Sequence, residues 1–287
     1  MACIGMDSCL RRRLRRASLL PARPLPLDPV LVTSRKALGL ALGSGDDAVR
    51  VHDASGLSSL EVAGQDGADQ YFVDNAALAI KAMKFLGHLG QEALNVDLRN
   101  TGVWVTAGKI DTAFGSIQHV DLEKLVLNNL ESVVGPEALA KIELLAKEFP
   151  ANRLLVVGTS GPDSVAVNSQ PTSFKVNAVW NGVTTERRSF NNAVINDIQF
   201  YMLGGDDFVT VVGSTPVGLD IHTGRGDDWV SVQTISAKIT DLHGDNTIVT
   251  GGGDDVIHTG SGDDDINAGG GQNQVIDDGG VNSIVTG

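Results

Sequence analysis

From Thr223 to Val285 the chain keeps a single nine-residue frame. The consecutive blocks are TGRGDDWVS, VQTISAKIT, DLHGDNTIV, TGGGDDVIH, TGSGDDDIN, AGGGQNQVI and DDGGVNSIV. The eighth place of every block is β-branched and apolar: Val230, Ile239, Ile248, Ile257, Ile266, Val275 and Ile284. The fourth is glycine in six of the seven, at Gly226, Gly244, Gly253, Gly262, Gly271 and Gly280. In those six the sixth place is Asp or Asn: Asp228, Asn246, Asp255, Asp264, Asn273 and Asn282. Glycine reaches positive φ without steric cost, so the fourth place marks a tight turn. The residues around the eighth form a short strand with its Val or Ile pointing inward. Two blocks then make one coil with two turns and two strands. Stacked coils bury a continuous column of branched side chains that no single coil could bury.

Composition agrees with thin, repetitive layers. Only 5% of the 287 residues are aromatic while 34 are glycine, so Val, Ile, Leu and Ala must fill the core. The net charge of −13 is unevenly spread: residues 1–40 carry eight Arg and Lys against two Asp. Everything after them is strongly acidic, which repels nucleic acid and anionic lipid, attracts cations and excludes a nucleic-acid role. Both cysteines, Cys3 and Cys9, fall in the basic segment, so no disulfide framework holds the body. Pro21, Pro24 and Pro26 break the apolar run after its arginines, and the segment reads as a disordered leader, with an export signal as the alternative. No window is apolar enough for a membrane span.

Each block orders nine residues around one or two buried side chains, so apolar burial alone does not hold the turns. Calcium is the natural supplement. It takes six to eight oxygens, carboxylate and carbonyl alike, and tolerates irregular geometry. Glycine turns expose carbonyls, and the sixth-place Asp adds charge that would otherwise crowd like against like. The alternative is a dry solenoid held by Asn and backbone hydrogen bonds.

These blocks resemble the RTX (repeats-in-toxin, hemolysin-type) nonapeptide G-G-x-G-x-D-x-U-x, whose parallel β-roll binds calcium. TGGGDDVIH and TGSGDDDIN are the nearest matches. The resemblance implies Ca2+ held between turns stacked on one side, so that blocks two apart share a site. One edge would hold Asp228, Asn246, Asp264 and Asn282, with Gly226 and Gly262 in the turns; the other would hold Asp255 and Asn273, with Gly253. Asp and Asn alternate along each edge, leaving one sixth-place carboxylate per pair and implying weaker sites than a consensus roll. VQTISAKIT has neither Gly nor Asp and is expected to bind nothing.

Single echoes lie upstream. LGSGDDAVR (42–50) places Asp47 in the sixth position; GADQY (67–71), GPDSV (161–165) and GDDFV (205–209) repeat the glycine–Asp spacing. Asp207 precedes Asp228 by 21 residues, two blocks plus three, which would stack it above Asp228 as an all-Asp pair. Alternating apolar segments at 94–98, 102–107, 124–129, 153–158 and 173–180 read as strands, whereas 75–90 and Pro136–Phe149 read as helices. The expected fold is mainly β, a right-handed parallel β-roll or β-helix solenoid with minor inserted helices. Its expected parts are a basic leader (1–40), an irregular parallel β-helix (41–200) and a calcium-binding β-roll (201–287).

No H-E-x-x-H, G-x-S-x-G or P-loop is present, and paired acids that recur with the repeat suit cation binding better than a catalytic dyad. The expected function is therefore calcium binding by a non-enzymatic structural or adhesion protein, secreted or at the cell surface, with calcium driving folding. Extracellular polysaccharide or protein is the expected partner class. The alternative is a β-helical carbohydrate-active enzyme or accessory subunit carrying an RTX module. Threonines at the first block place (Thr223, Thr250, Thr259) suggest a flat ladder for ice or polysaccharide.

Overall fold

A computed structural model describes residues 37–52, 56–88, 90–128, 130, 141–213 and 218–287. The basic segment up to residue 36, with both cysteines, lies outside the described residues. The first described strand, Leu38–Ala41, begins within the stretch expected to be leader and runs one residue past it.

The chain forms a β-solenoid of parallel coils, divided into two compact units. Of the described residues, the first comprises those up to Asp97 with Phe114–Val126 and Leu145–Lys147; the second comprises those in Leu98–Ala113, Leu127–Leu144 and Glu148–Gly287. This division follows packing and does not coincide with the expected boundary at residue 200.

In the first unit, one wall stacks Leu38–Ala41, Ser59–Ala63, Ala82–Leu86 and Ser116–Val120 in parallel. A second wall stacks Ala48–Val51, Gln70–Val73 and Ala93–Asp97. Leu60, Val62, Met83, Phe85 and Ile117 point inward from the first wall, and Val49, Tyr71, Leu94 and Val96 from the second.

In the second unit, one wall runs Arg153–Val157, Asp197–Tyr201, Gly218–His222, Lys238–His243, Val256–Ser261 and Gln274–Asp277. The other runs Ser164–Ser169, Phe208–Val212, Trp229–Val232, Thr247–Thr250, Asp265–Asn267 and Ser283–Val285. The eighth-place residues from Val230 to Ile266 are fully buried between these walls. Their partners in register are one another, Val230 with Ile248 and Ile248 with Ile266 on one wall, Ile239 with Ile257 on the other.

Two expectations are corrected. The helix expected over 75–90 is a 3₁₀ turn, Asn75–Ala79, followed by the strand Ala82–Leu86. Met83 and Phe85 are buried there between less buried neighbours, a period of two that a generally apolar stretch concealed. Of the helix expected over 136–149, residues 136–140 lie outside the described residues, and Lys141–Leu145 is a strand. The fold is also not parallel throughout. Val103–Thr106 and Lys109–Thr112 form an antiparallel hairpin, and Ser164–Ser169, Ser173–Trp180 and Thr184–Asn191 form an antiparallel meander. Inside the second unit the indoles of Trp104 and Trp180 both donate to the buried Glu186 carboxylate, at 2.8 and 2.9 Å, which also accepts from Arg188 at 3.1 Å.

Candidate metal centre

The coils of the second unit pass between its walls through two columns of turns. The longer column contains the turns ending at Asp163, Asp207, Asp228, Asn246, Asp264 and Asn282; the other contains those ending at Ala237, Asp255 and Asn273. The fourth-place glycines turn the chain in the left-handed region and pack directly on one another. Gly244 has φ of 111°, and a Cβ there would come within 1.9 Å of the Gly226 carbonyl oxygen. No side chain fits between adjacent coils at this place, which is why the frame demands glycine.

The two acidic places of each block serve opposite neighbours. A fifth-place carboxylate accepts the main-chain N–H of the following coil: Asp245 donates to Asp227 Oδ1 at 2.9 Å, Asp263 to Asp245 at 2.8 Å and Val281 to Asp263 at 2.8 Å. A sixth-place side chain accepts from the preceding coil. Asp207 N–H donates to Asp228 Oδ1 at 2.7 Å, Asp228 to Asn246 at 2.9 Å, Asn246 to Asp264 at 2.9 Å and Asp264 to Asn282 at 2.6 Å. In the second column Ala237 donates to Asp255 at 2.8 Å and Asp255 to Asn273 at 3.0 Å. Asn serves as well as Asp here, because the bond needs only an acceptor oxygen.

The second oxygen of each sixth-place carboxylate has no such use. Oδ2 of Asp207, Asp228, Asp255 and Asp264 is buried without a hydrogen-bond partner, and these residues are at most 2% exposed. A buried anionic oxygen without a partner is costly, and each of these four turns contains one. Burial pushes the Asp207 carboxyl up to about 10, with the Asp228 carboxylate beside it adding to the rise. Burial likewise raises Asp228 to about 7 against the pull of the Asp207 N–H and the Thr223 hydroxyl. Asp255 is raised by burial, opposed by Thr250 and the Ala237 N–H.

These orphaned oxygens fit a cation. Asp207, Asp228 and Asp264 would hold it along the first column and Asp255 along the second, each offering one oxygen that the protein leaves unused. The structure brings together Gly226, Asp228, Asn246, Gly262 and Asp264 with Asp207 in the first column, and Gly253, Asp255 and Asn273 in the second. Asn246 and Asn273 contribute acceptors but no charge. Among the described residues no three His, Cys, Asp or Glu side chains converge as a metal cluster. Carbonyls and water must therefore complete the shell, which calcium accepts readily.

Asp47 stands apart, in the first unit. Its N–H donates to Asp69 Oδ1 at 2.9 Å, and the Ala68 N–H donates to Asp46 Oδ1 at 2.8 Å, reproducing both ladder directions. Asp69, in the GADQY echo, is the more buried carboxylate, with Oδ2 unpartnered and its pKa raised by burial. In the GPDSV echo, Asp163 uses both oxygens on Thr159 and the Asn181 N–H, so it has none to spare. The threonines at the first block place do not form an exposed ladder. Thr223, Thr250 and Thr259 are buried because that place points inward, in step with the eighth.

Residues 244–275 match the family model of the RTX calcium-binding nonapeptide repeat, which comprises four copies. No curated protein matches the chain. The matched segment includes Asn246, Asp255, Asp264 and Asn273 and so covers part of each turn column; the coils within it are RTX calcium-binding nonapeptide repeats, whose ion is Ca2+.

Proposed function

We propose that calcium is the ligand that completes folding of the second unit, in a secreted or surface protein with a structural or adhesion role. The observation that carries this reading is the set of buried, partnerless Oδ2 atoms on four turns of the roll, at Asp207, Asp228, Asp255 and Asp264. Without a cation, coil stacking holds these carboxylates out of water, and burial pushes Asp207, Asp228 and Asp255 towards protonation. With one, the same charges become ligands. Occupied sites add stability in proportion to the logarithm of free calcium over the dissociation constant, about 1.4 kcal/mol for each site at tenfold excess. Extracellular calcium modules bind in roughly the 10⁻⁴–10⁻³ M range, so such sites fill outside a cell and stay empty within it.

The RTX repeat is typical of extracellular proteins, which supports the location. Among the described residues no helix is long and apolar enough to cross a membrane, a statement that does not extend to a β-barrel. A non-catalytic role is supported by the acidic pairs themselves, since each is tied to the backbone of a neighbouring coil by the same two bonds. The exposed, acidic surface suits extracellular polysaccharide or protein partners. Circular dichroism of the full chain during calcium titration tests the reading. A cooperative, chelator-reversible gain of β signal is expected; a spectrum and melting temperature indifferent to calcium would overturn it.

A further inference from the structure

The first column contains a carboxylate that the nine-residue frame does not call for. Asp241 occupies the first place of DLHGDNTIV and lies on the strand Lys238–His243, where Ile239 and Asp241 are buried while Thr240 between them is less so. It is 0% exposed, and neither of its oxygens has a hydrogen-bond partner. Its column neighbours are Thr223 and Thr259: Asp241 pairs with Thr259 in register, and the Thr223 N–H donates to the Thr240 carbonyl. The Thr223 hydroxyl and the His243 N–H lie close enough to favour its ionised form, yet outside hydrogen-bonding geometry. Burial is the main influence on this carboxyl and the Asp228 carboxylate the next, so the two acids feel each other in the interior.

Asp241 belongs to the same block as Asn246, the sixth-place residue that carries no charge. The turn pair Asp228–Asn246 thus has one carboxylate in the frame and a second, buried and unpartnered, one strand end away. We infer that Asp241 is a calcium ligand of this chain, supplying with Asp228 the second carboxylate that Asn246 does not. Two carboxylates with carbonyl or water oxygens make a shell that calcium accepts, without a third acidic side chain. The arrangement also explains why a fully buried acid is tolerated between two threonines, since a lone buried carboxylate otherwise costs several kcal/mol.

This inference rests on the calcium reading above, and the test separates the two. Calcium binding to the full chain is measured by isothermal titration, with melting temperatures in calcium and in chelator. Asp241→Asn is expected to weaken the affected site roughly tenfold or remove one ion from the stoichiometry, as loss of one ligand charge should. In chelator its melting temperature is expected to equal or exceed that of the native chain, because a buried charge has gone. Adding Asn246→Asp to Asp241→Asn moves the charge to the sixth place and is expected to restore binding. Should Asp241→Asn misfold, Asp241→Thr, the residue that column already holds at 223 and 259, replaces it. Unchanged stoichiometry and affinity in the variant overturn the role of Asp241 alone. A native chain that binds no calcium overturns both readings.

Discussion

The main-chain N–H of Asp207 donates to Asp228 Oδ1 across 21 residues, whereas the same bond from Asp228 to Asn246 crosses 18. The turn column is indifferent to the difference because the extra residues are absorbed elsewhere. Val211 pairs with Val232 and Asp220 with Lys238, so nine steps on one coil match six on the next, and the insertion falls between Val211 and Asp220. The acidic ladder makes the same bond across coils of both lengths.

Asp228 therefore does two separable things, and two substitutions divide them. Asp228→Ala removes the acceptor for a buried N–H and is expected to cost about 1–3 kcal/mol even in chelator. Asp228→Asn keeps that acceptor and should melt near the native temperature in chelator. Both should lose much of the calcium-induced rise in melting temperature. Differential scanning calorimetry with and without calcium checks the pair.

Calcium binding is expected to release protons and to strengthen with pH. The ion needs ionised carboxylates, while burial holds Asp228 near 7 and Asp207 near 10. Displacing the Asp228 proton alone should weaken binding roughly tenfold between about pH 8 and pH 6. Without calcium the sign reverses. Neutral acids stabilise the stacked turns below the unfolded carboxylate pKa of about 3.9, and that contribution is lost as pH rises through about 7 for Asp228 and about 10 for Asp207. Titrations in buffers of different ionisation enthalpy measure the released protons; none released would contradict the assignment of these carboxylates as ligands.

Glycines in the turns should differ sharply by place. Gly244→Ala puts a Cβ in a left-handed conformation and 1.9 Å from the Gly226 oxygen, and is expected to destabilise by at least about 2 kcal/mol. At Gly252 a Cβ would meet nothing within 4 Å, so Gly252→Ala should stay within about 0.5 kcal/mol of native. Urea denaturation of both variants in calcium makes the comparison.

Glu186→Ala leaves the Trp104 and Trp180 indole N–H groups buried without an acceptor, at about 1–3 kcal/mol each. Glu186→Gln retains one acceptor oxygen and should cost less. Tryptophan emission and thermal melting report on both; equal stability of the two variants would show that the indole bonds contribute little.

The roll was legible because its period fixes three residue classes at once, and each maps to one place: glycine to the stacked turn, Asp or Asn to the ladder, Val or Ile to the core. The Asp207–Asp228 stacking followed from the same count. What escaped lacked a periodic partner. Asp241 sits at the first place of its block, which carries no fixed residue class and holds threonine at 223, 250 and 259, so only its burial marks it. Trp104 and Glu186 meet across 82 residues with no local signal. The segment around Met83 and Phe85 is apolar enough to satisfy a helical period as easily as a strand, and only its neighbours at Leu60 and Ile117 select the strand. The antiparallel meander shows that alternation reveals a strand but not its direction.

In the acidic blocks the fifth and sixth places reach in opposite directions along the coil axis, one to the coil after and one to the coil before. A coil pulled away from the stack must therefore break its side-chain ties together with its strand pairs, and the coils behind it keep theirs. Under load the column should yield one coil at a time. From Asp228 to Asn282 each release frees eighteen residues, about 60 Å of extended chain, so tension there would be resisted in equal steps and would not fail at a single weakest point.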